Sequence, residues 1–418
     1  MQIIITNRDH TKPLPKKIGR VEPSFLSTQI GKVKPGQKNR NHLCKIVDKE
    51  GKKSKLAKNK QLMFYPHDKR TEIFKGENAK ELERQWVVYV HGHHQDPLEN
   101  IHKTMEIERI HGVNVLAFSW PSHPLMTSKQ TEAILGTIEQ LIIKRYEITG
   151  WWAFVASKVW DGIEGLIEGW RNYPLAKENA LLSTNDLQAC LRVFKKDLFP
   201  LTKSKKTPNL VVASLGNYLM ENTIKQNGGL AMKFHNILLH EADANAEQHV
   251  NWVPILHKYC NNLSITVNTF DTTLWASTVR NESLEQGDTN RLGLISTGHL
   301  IDGKTRYLQL DGMPCAGLSM GCEYEHEYYI RSTKTLIKEA VDVMKSVITS
   351  NDDFLPDMNG GSKNGFSKMP TEIQMYKFEY IVMDVDRDEV EPRQHKSLDT
   401  FTDPLAPPPV PDPDIPDD

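Results

Sequence analysis

The sequence predicts an α/β fold: a doubly wound, mostly parallel sheet carrying a helical insertion. Three observations predict it. Continuous apolar runs of strand length recur at residues 86–90, 113–119, 209–213, 236–240, 263–268 and 306–310. Strands buried on both faces read as such runs, because neither face meets water. Stretches of helical periodicity separate the runs, so strand and helix alternate as a parallel sheet requires. Polar residues stand where the runs stop, and in such sheets chemistry gathers at the carboxyl ends of the strands.

At 418 residues the chain can bury a large core in one or two domains. A net charge of −1 supplies no global field toward nucleic acid or anionic membrane, and no nucleic-acid partner is expected. No apolar run has the length of a membrane span. The start, Met1-Gln2-Ile3-Ile4-Ile5, lacks a cleavage site and reads as a first strand rather than a signal peptide. Cys44, Cys190, Cys260, Cys315 and Cys322 are odd in number and form no Cys-x-x-Cys pair. That usage points to a reducing compartment, the cytosol by default, rather than to a disulfide framework or a cysteine zinc site.

Taken in order, residues 1–8 read as a strand. Residues 11–60 are rich in Lys, Pro, Gly and Asn, and their basic run from Lys52 to Lys60 reads as a solvated loop or hairpin tip. Residues 62–65 suit a second strand. After the run at 86–90, Asp96-Pro97-Leu98-Glu99 opens a helix, with Asp at the N-cap and Pro at the first helical position. That helix is expected to reach about Ile110 and to end at His111-Gly112.

Residues 123–172 interrupt the alternation. A helix is expected over 132–146, and a second after Gly150 with Trp152, Val155, Val159, Ile163, Leu166 and Trp170 on one face. The insertion reads as a core-facing helical pair, as a cap whose aromatic underside holds an apolar substrate part, or, third because Lys and Arg are sparse there, as a membrane-surface docking segment. A long helix over 176–199 follows, then the strand 209–213 and its helix, stopped by Gly228-Gly229. Further on come a helix over 248–259 and a closing helix over 331–349. The expected layout is N-terminal strands and a basic loop over 1–85, a core over 86–350, a C-terminal extension over 351–400 and a Pro- and Asp-rich disordered tail over 401–418. Residues 378–383 suit an added strand in the extension.

The chain is organised around Asn209-Leu210-Val211-Val212-Ala213-Ser214-Leu215-Gly216-Asn217. An apolar strand ends at a serine, a glycine follows two positions later, and a helical pattern begins. That is the context of a nucleophile elbow, with the N–H of Leu215 aimed where an oxyanion would form. The usual pattern has a small residue two before the serine, and here Val212 occupies it. The competing reading makes Ser214 a helix N-cap. A serine nucleophile needs a base, and the base an acid to orient it. Ser214, then Asp271, then His326 follow the chain order of the α/β-hydrolase triad, each at a strand end or in the loop after it.

With these residues in hand, the chain resembles the bacterial α/β-hydrolases of unknown function. The resemblance rests on Thr6-Asn7-Arg8, His91-Gly92, Ser119-Trp120-Pro121-Ser122 and Ser214-Leu215-Gly216-Asn217. It extends to Asp271 with Leu274, Ser277 and Arg291-Leu292-Gly293, and to His326 before Tyr328 and Tyr329. It implies Ser214 as nucleophile, His326 as base and Asp271 as acid. It also implies an oxyanion hole from the backbone N–H groups of His93 and Leu215. Departures are Ala213, Val212 and the longer insertion.

Rival assignments are Asp243 as the acid, against a role in capping the next helix, and His299 as the base, which precedes the last strand. His91, His93, His94 and Asp96 lack the spacing of a binuclear metal site, and His240-Glu241 lacks the second histidine of a zinc helix. No metal or other cofactor is expected. The expected function is an esterase- or lipase-like serine hydrolase acting on a small acyl or ester compound, lipids included. The alternatives are an inactive binding protein on the same fold and an acyltransferase.

Overall fold

The computed structural model describes residues 1–32, 40–49, 56–93, 95–122, 152–269, 271–283, 290–294, 300–301, 305–310, 338–349, 366–368 and 375–378, with the side chains of 152–171 and of parts of the later elements excepted. Its strands are β1 (Gln2–Thr6), β2 (Arg8–His10), β3 (Gly19–Val21), β4 (Leu26–Ile30), β5 (His42–Asp48), β6 (Lys60–Tyr65), β7 (Trp86–Val90), β8 (Asn114–Ser119), β9 (Asn209–Ala213), β10 (Phe234–His240), β11 (Cys260–Val267), β12 (Thr305–Gln309), β13 (Phe366–Lys368) and β14 (Met375–Phe378). Among the described residues twelve strands form one sheet, in the order β13-β14-β12-β11-β10-β9-β7-β8-β1-β5-β6-β3, and β2 pairs with β4 apart from it.

From β1 across to β14 every pairing is parallel. The margins beyond are antiparallel. The sheet is therefore mixed and mostly parallel.

The reason for the double winding can be read from alternation along each strand. Val88, Val90, Leu210, Val212, Ile237 and Leu239 point to one face, into a core shared with Ala176, Ala180, Leu187, Leu219 and Met220. Those partners come from the helices Trp152–Val193 and Gly216–Asn227. Val87, Tyr89, Val211, Ala213 and Leu238 point to the other face, against Ile101, Met105, Met344 and Val347. Those come from the helices Pro97–His111 and Lys338–Thr349. Each strand buries both faces, which is why apolar runs rather than alternation marked them.

The helix after β7 starts and stops on the residues that sequence chemistry selects. Asp96 Oδ1 accepts the Glu99 N–H at 2.7 Å, which satisfies one orphan amide of the first turn. Gly112 closes the helix at φ 70°, a left-handed conformation that favours glycine.

Two expectations need correction. Residues 11–60, where no strand is expected, contribute β3, β4 and β5. These are short antiparallel strands with mixed burial, such as Gly19-Arg20-Val21, and carry no apolar run to find. The two helices expected on either side of residue 173 are one, Trp152–Val193, which runs through Pro174 and continues into a π turn at Phe194–Leu198. In the extension, strand structure lies at Phe366–Lys368 and Met375–Phe378, and the strand expected over 378–383 lies outside the described residues beyond Phe378. The helix expected over 132–146, residues 52–55 of the basic run and the acidic tail lie outside the described residues. No helix among the described residues is long and apolar enough to cross a membrane.

Candidate functional site

Register sets the site. Val90 lies beside Val212, and Val212 beside Leu239, so β7, β9 and β10 end level with one another. Ser214 follows directly on β9. Its backbone is left-handed, φ 50°, a conformation that costs an L-residue about 1–2 kcal/mol. Strain of this kind persists only where the surroundings over-determine it. Here several hydrogen bonds do so. The Ser214 N–H donates to His240 O at 3.0 Å, and the Asn217 and Asp243 N–H groups donate to Ser214 O at 2.9 and 3.2 Å. The Asn217 amide nitrogen donates to Val212 O, Ser214 O and His240 O at 3.1, 3.0 and 3.3 Å.

The N-cap reading of Ser214 does not hold. The capping position belongs to Leu215, with no side-chain cap, and the helix begins at Gly216. Among the described residues the Leu215 N–H has no backbone acceptor. Val212 is accommodated on the helix-facing side of β9, fully buried. The close approach falls instead to Gly216, where a Cβ would lie 2.7 Å from His91 O and 2.9 Å from Val90 O.

Gly92 makes the matching approach from β7. A Cβ there would lie 2.6 Å from Ser214 Cβ and 3.2 Å from Ser214 Oγ. The His91-Gly92-His93 turn therefore passes directly beside the serine side chain. His91 holds that turn. Its Nε2 accepts the Trp120 N–H at 3.1 Å, and its O accepts the Trp120 indole N–H at 2.9 Å. The two rings stack at 5.5 Å. Burial first, and the Arg8 charge second, hold the imidazole well below its ordinary pKa, so it is neutral. Both ring nitrogens already face partners, Trp120 N and Gly92 O. Among the described residues no group of three or more His, Cys, Asp and Glu side chains could hold a metal ion.

The acids occupy the next two strand ends. Asp243 lies three residues after β10. Its Oδ1 accepts from Ser277 Oγ at 2.7 Å and from Tyr173 OH at 3.1 Å, and Arg291 Nε stands 3.7 Å away. Asp243 does not cap the following helix; Asn245 Oδ1 instead accepts the Gln248 N–H at 2.7 Å. Asp271 follows β11, is buried, and its Oδ1 accepts the Leu274 N–H at 2.9 Å. It thus caps the helix Thr272–Ser283. The loops are knitted together: Gly293 N–H donates to Ala242 O at 3.0 Å, Asn268 N–H to Gly293 O at 2.8 Å and Asp271 N–H to Asn268 O at 3.1 Å.

The structure brings Ser214, Leu215, Asp243 and the His91–His93 turn together by direct contact, and ties Asp271 to them through these loops. The His93 ring meets Tyr173 edge-on at 5.6 Å. His326 and His299 lie outside the described residues. Sequence reasoning missed Gly92 as the wedge beside the serine, Asn217 as the brace of the turn, and Tyr173 and Ser277 as partners of Asp243. Glu241, left-handed at φ 39° and fully buried, was also missed. Only the glycine after a strand-end histidine and the asparagine three after the serine left a signal. Compared with known proteins, the chain matches no family model, no curated protein and no solved structure.

Proposed function

We propose that the protein is a serine hydrolase with an α/β-hydrolase core, acting on a carboxylic ester or related acyl compound. The observation that carries the reading is the left-handed Ser214 at the β9-to-helix turn, wedged against Gly92. A helix N-cap needs no such strain, whereas a nucleophile lifted above a sheet edge does. The strand order β8-β7-β9-β10-β11-β12, with the serine after β9 and Asp271 after β11, supports the fold assignment.

In this reading Ser214 Oγ attacks the carbonyl carbon while His326 takes its proton. Asp271 orients the imidazole and stabilises its charged form. The amides of Leu215 and His93 receive the oxyanion. The leaving alcohol takes the proton from His326, and water, activated by the same base, clears the acyl group from Ser214. The odd number and scattered spacing of the cysteines support the cytosol as the compartment.

A fluorophosphonate probe tests the reading. Folded wild-type protein is expected to label and Ser214→Ala is not. Folded wild type that stays unlabelled overturns the proposal in favour of a binding protein. Product analysis with a competing alcohol separates hydrolysis from acyl transfer.

A further inference from the structure

Thr6-Asn7-Arg8 takes no part in the reaction just proposed, yet Arg8 is fully buried. Burial pulls its guanidinium down to about 9, opposed by the charge of Asp96. Its hydrogen bonds go to neutral acceptors. Nε donates to Ser119 Oγ at 3.0 Å and Nη2 to Gln95 O at 2.6 Å, while Nη1 has no partner among the described residues. A buried cation held only by neutral groups is costly to keep.

The two acceptors bracket one loop. Ser119 ends β8 and leads into Trp120, which grips His91 through the two hydrogen bonds given above. Gln95 ends the loop that His91 begins, and its own N–H donates to Ser122 Oγ at 3.1 Å. Thr6 Oγ1 donates to Ser119 O at 2.7 Å and accepts the Arg8 N–H at 3.1 Å, so the end of β1 that leads into Arg8 is clamped to the same end of β8. Near the start of the loop Gly92 abuts Ser214.

We propose that Arg8 is a positioning residue: its guanidinium ties the loop's far end, at Gln95, to the end of β8, and so fixes the His93 amide relative to Ser214. The inference rests on the serine-hydrolase reading. The forked guanidinium reaches two acceptors in fixed directions; a lysine ammonium does not reproduce that geometry.

The test is the kinetics of covalent capture by a fluorophosphonate, resolved into a reversible binding constant KI and a maximal capture rate kinact, per folded molecule. The proteins are wild type, Arg8→Lys and Ser119→Ala, with folding checked by thermal unfolding. Loss of oxyanion alignment is expected to lower kinact by roughly tenfold to a hundredfold in Arg8→Lys while KI is unchanged. Ser119→Ala keeps the cation and removes one acceptor, so a smaller drop of the same kind is expected. It decides the matter alone if Arg8→Lys does not fold. Capture by both variants at the wild-type kinact, or a change confined to KI, overturns the role of Arg8 and leaves the hydrolase reading standing. Folded wild type that is never captured overturns both.

Discussion

Gly92→Ala probes the contact on which the site turns. The new Cβ would start 2.6 Å from Ser214 Cβ and 3.2 Å from both Ala213 O and Ser214 Oγ. Carbon atoms sit comfortably at about 3.5–4.0 Å, so the His91–His93 turn and the Ser214 turn must separate by about 1 Å. Neither can move freely: His91 is bonded and stacked to Trp120, and Ser214 is fixed by Asn217 and His240 O. Overpacking of this kind costs about 1–3 kcal/mol of stability. A displacement of about 1 Å between nucleophile and oxyanion donors lowers reactivity by about a hundredfold. Stability is measured by urea unfolding and reactivity by the rate of fluorophosphonate capture per folded molecule. Gly92→Ala protein that is as stable as wild type and captured as fast would refute the reasoning, because the two turns would not then be in contact.

Three further predictions follow from the same geometry. Asn217→Ala removes one donor from three buried carbonyls and is expected to cost about 1–3 kcal/mol; Asn217→Asp, which sets a carboxylate against the same oxygens, is expected to be worse in the same unfolding assay. Ser214→Gly relieves the left-handed strain that Ser214→Ala retains, and is expected to be the more stable of the two by about 1 kcal/mol; equal stability would mean that the turn is not strained. Because His91 is held neutral in the fold, the unfolded chain binds the extra proton below about pH 6.5. Stability from His91 is therefore complete above that pH and lost as pH falls toward the lowered folded value. Wild type is expected to lose stability relative to His91→Gln across that range, by at most about 1.4 kcal/mol per pH unit; parallel curves would refute the buried neutral ring.

The parallel core was legible because burial on both faces leaves an unbroken apolar signature. Residues 86–90 and 209–213 were located to the residue, and the helix after β7 was delimited by Asp96 and Gly112 within one position. Of the antiparallel margin only β6 was legible. In β5, Lys45 and Asp48 interrupt the pattern, and their ion pairs with Glu77 and Lys60 exist only after folding. The break expected between two helices is absent: Pro174, a residue type that ordinarily ends a helix, lies inside Trp152–Val193. In the site, the serine turn was legible as strand, serine and glycine. The contact of Gly92 with Ser214, and the hold of Ser277 and Tyr173 on Asp243, join residues far apart along the chain, which no local pattern encodes.

The most direct measurement is peptide mapping of the chain after reaction with a fluorophosphonate. A single adduct on the peptide bearing Ser214, absent from the Ser214→Ala variant, is the predicted result. An unmodified Ser214 peptide in folded, probe-treated protein would contradict the account.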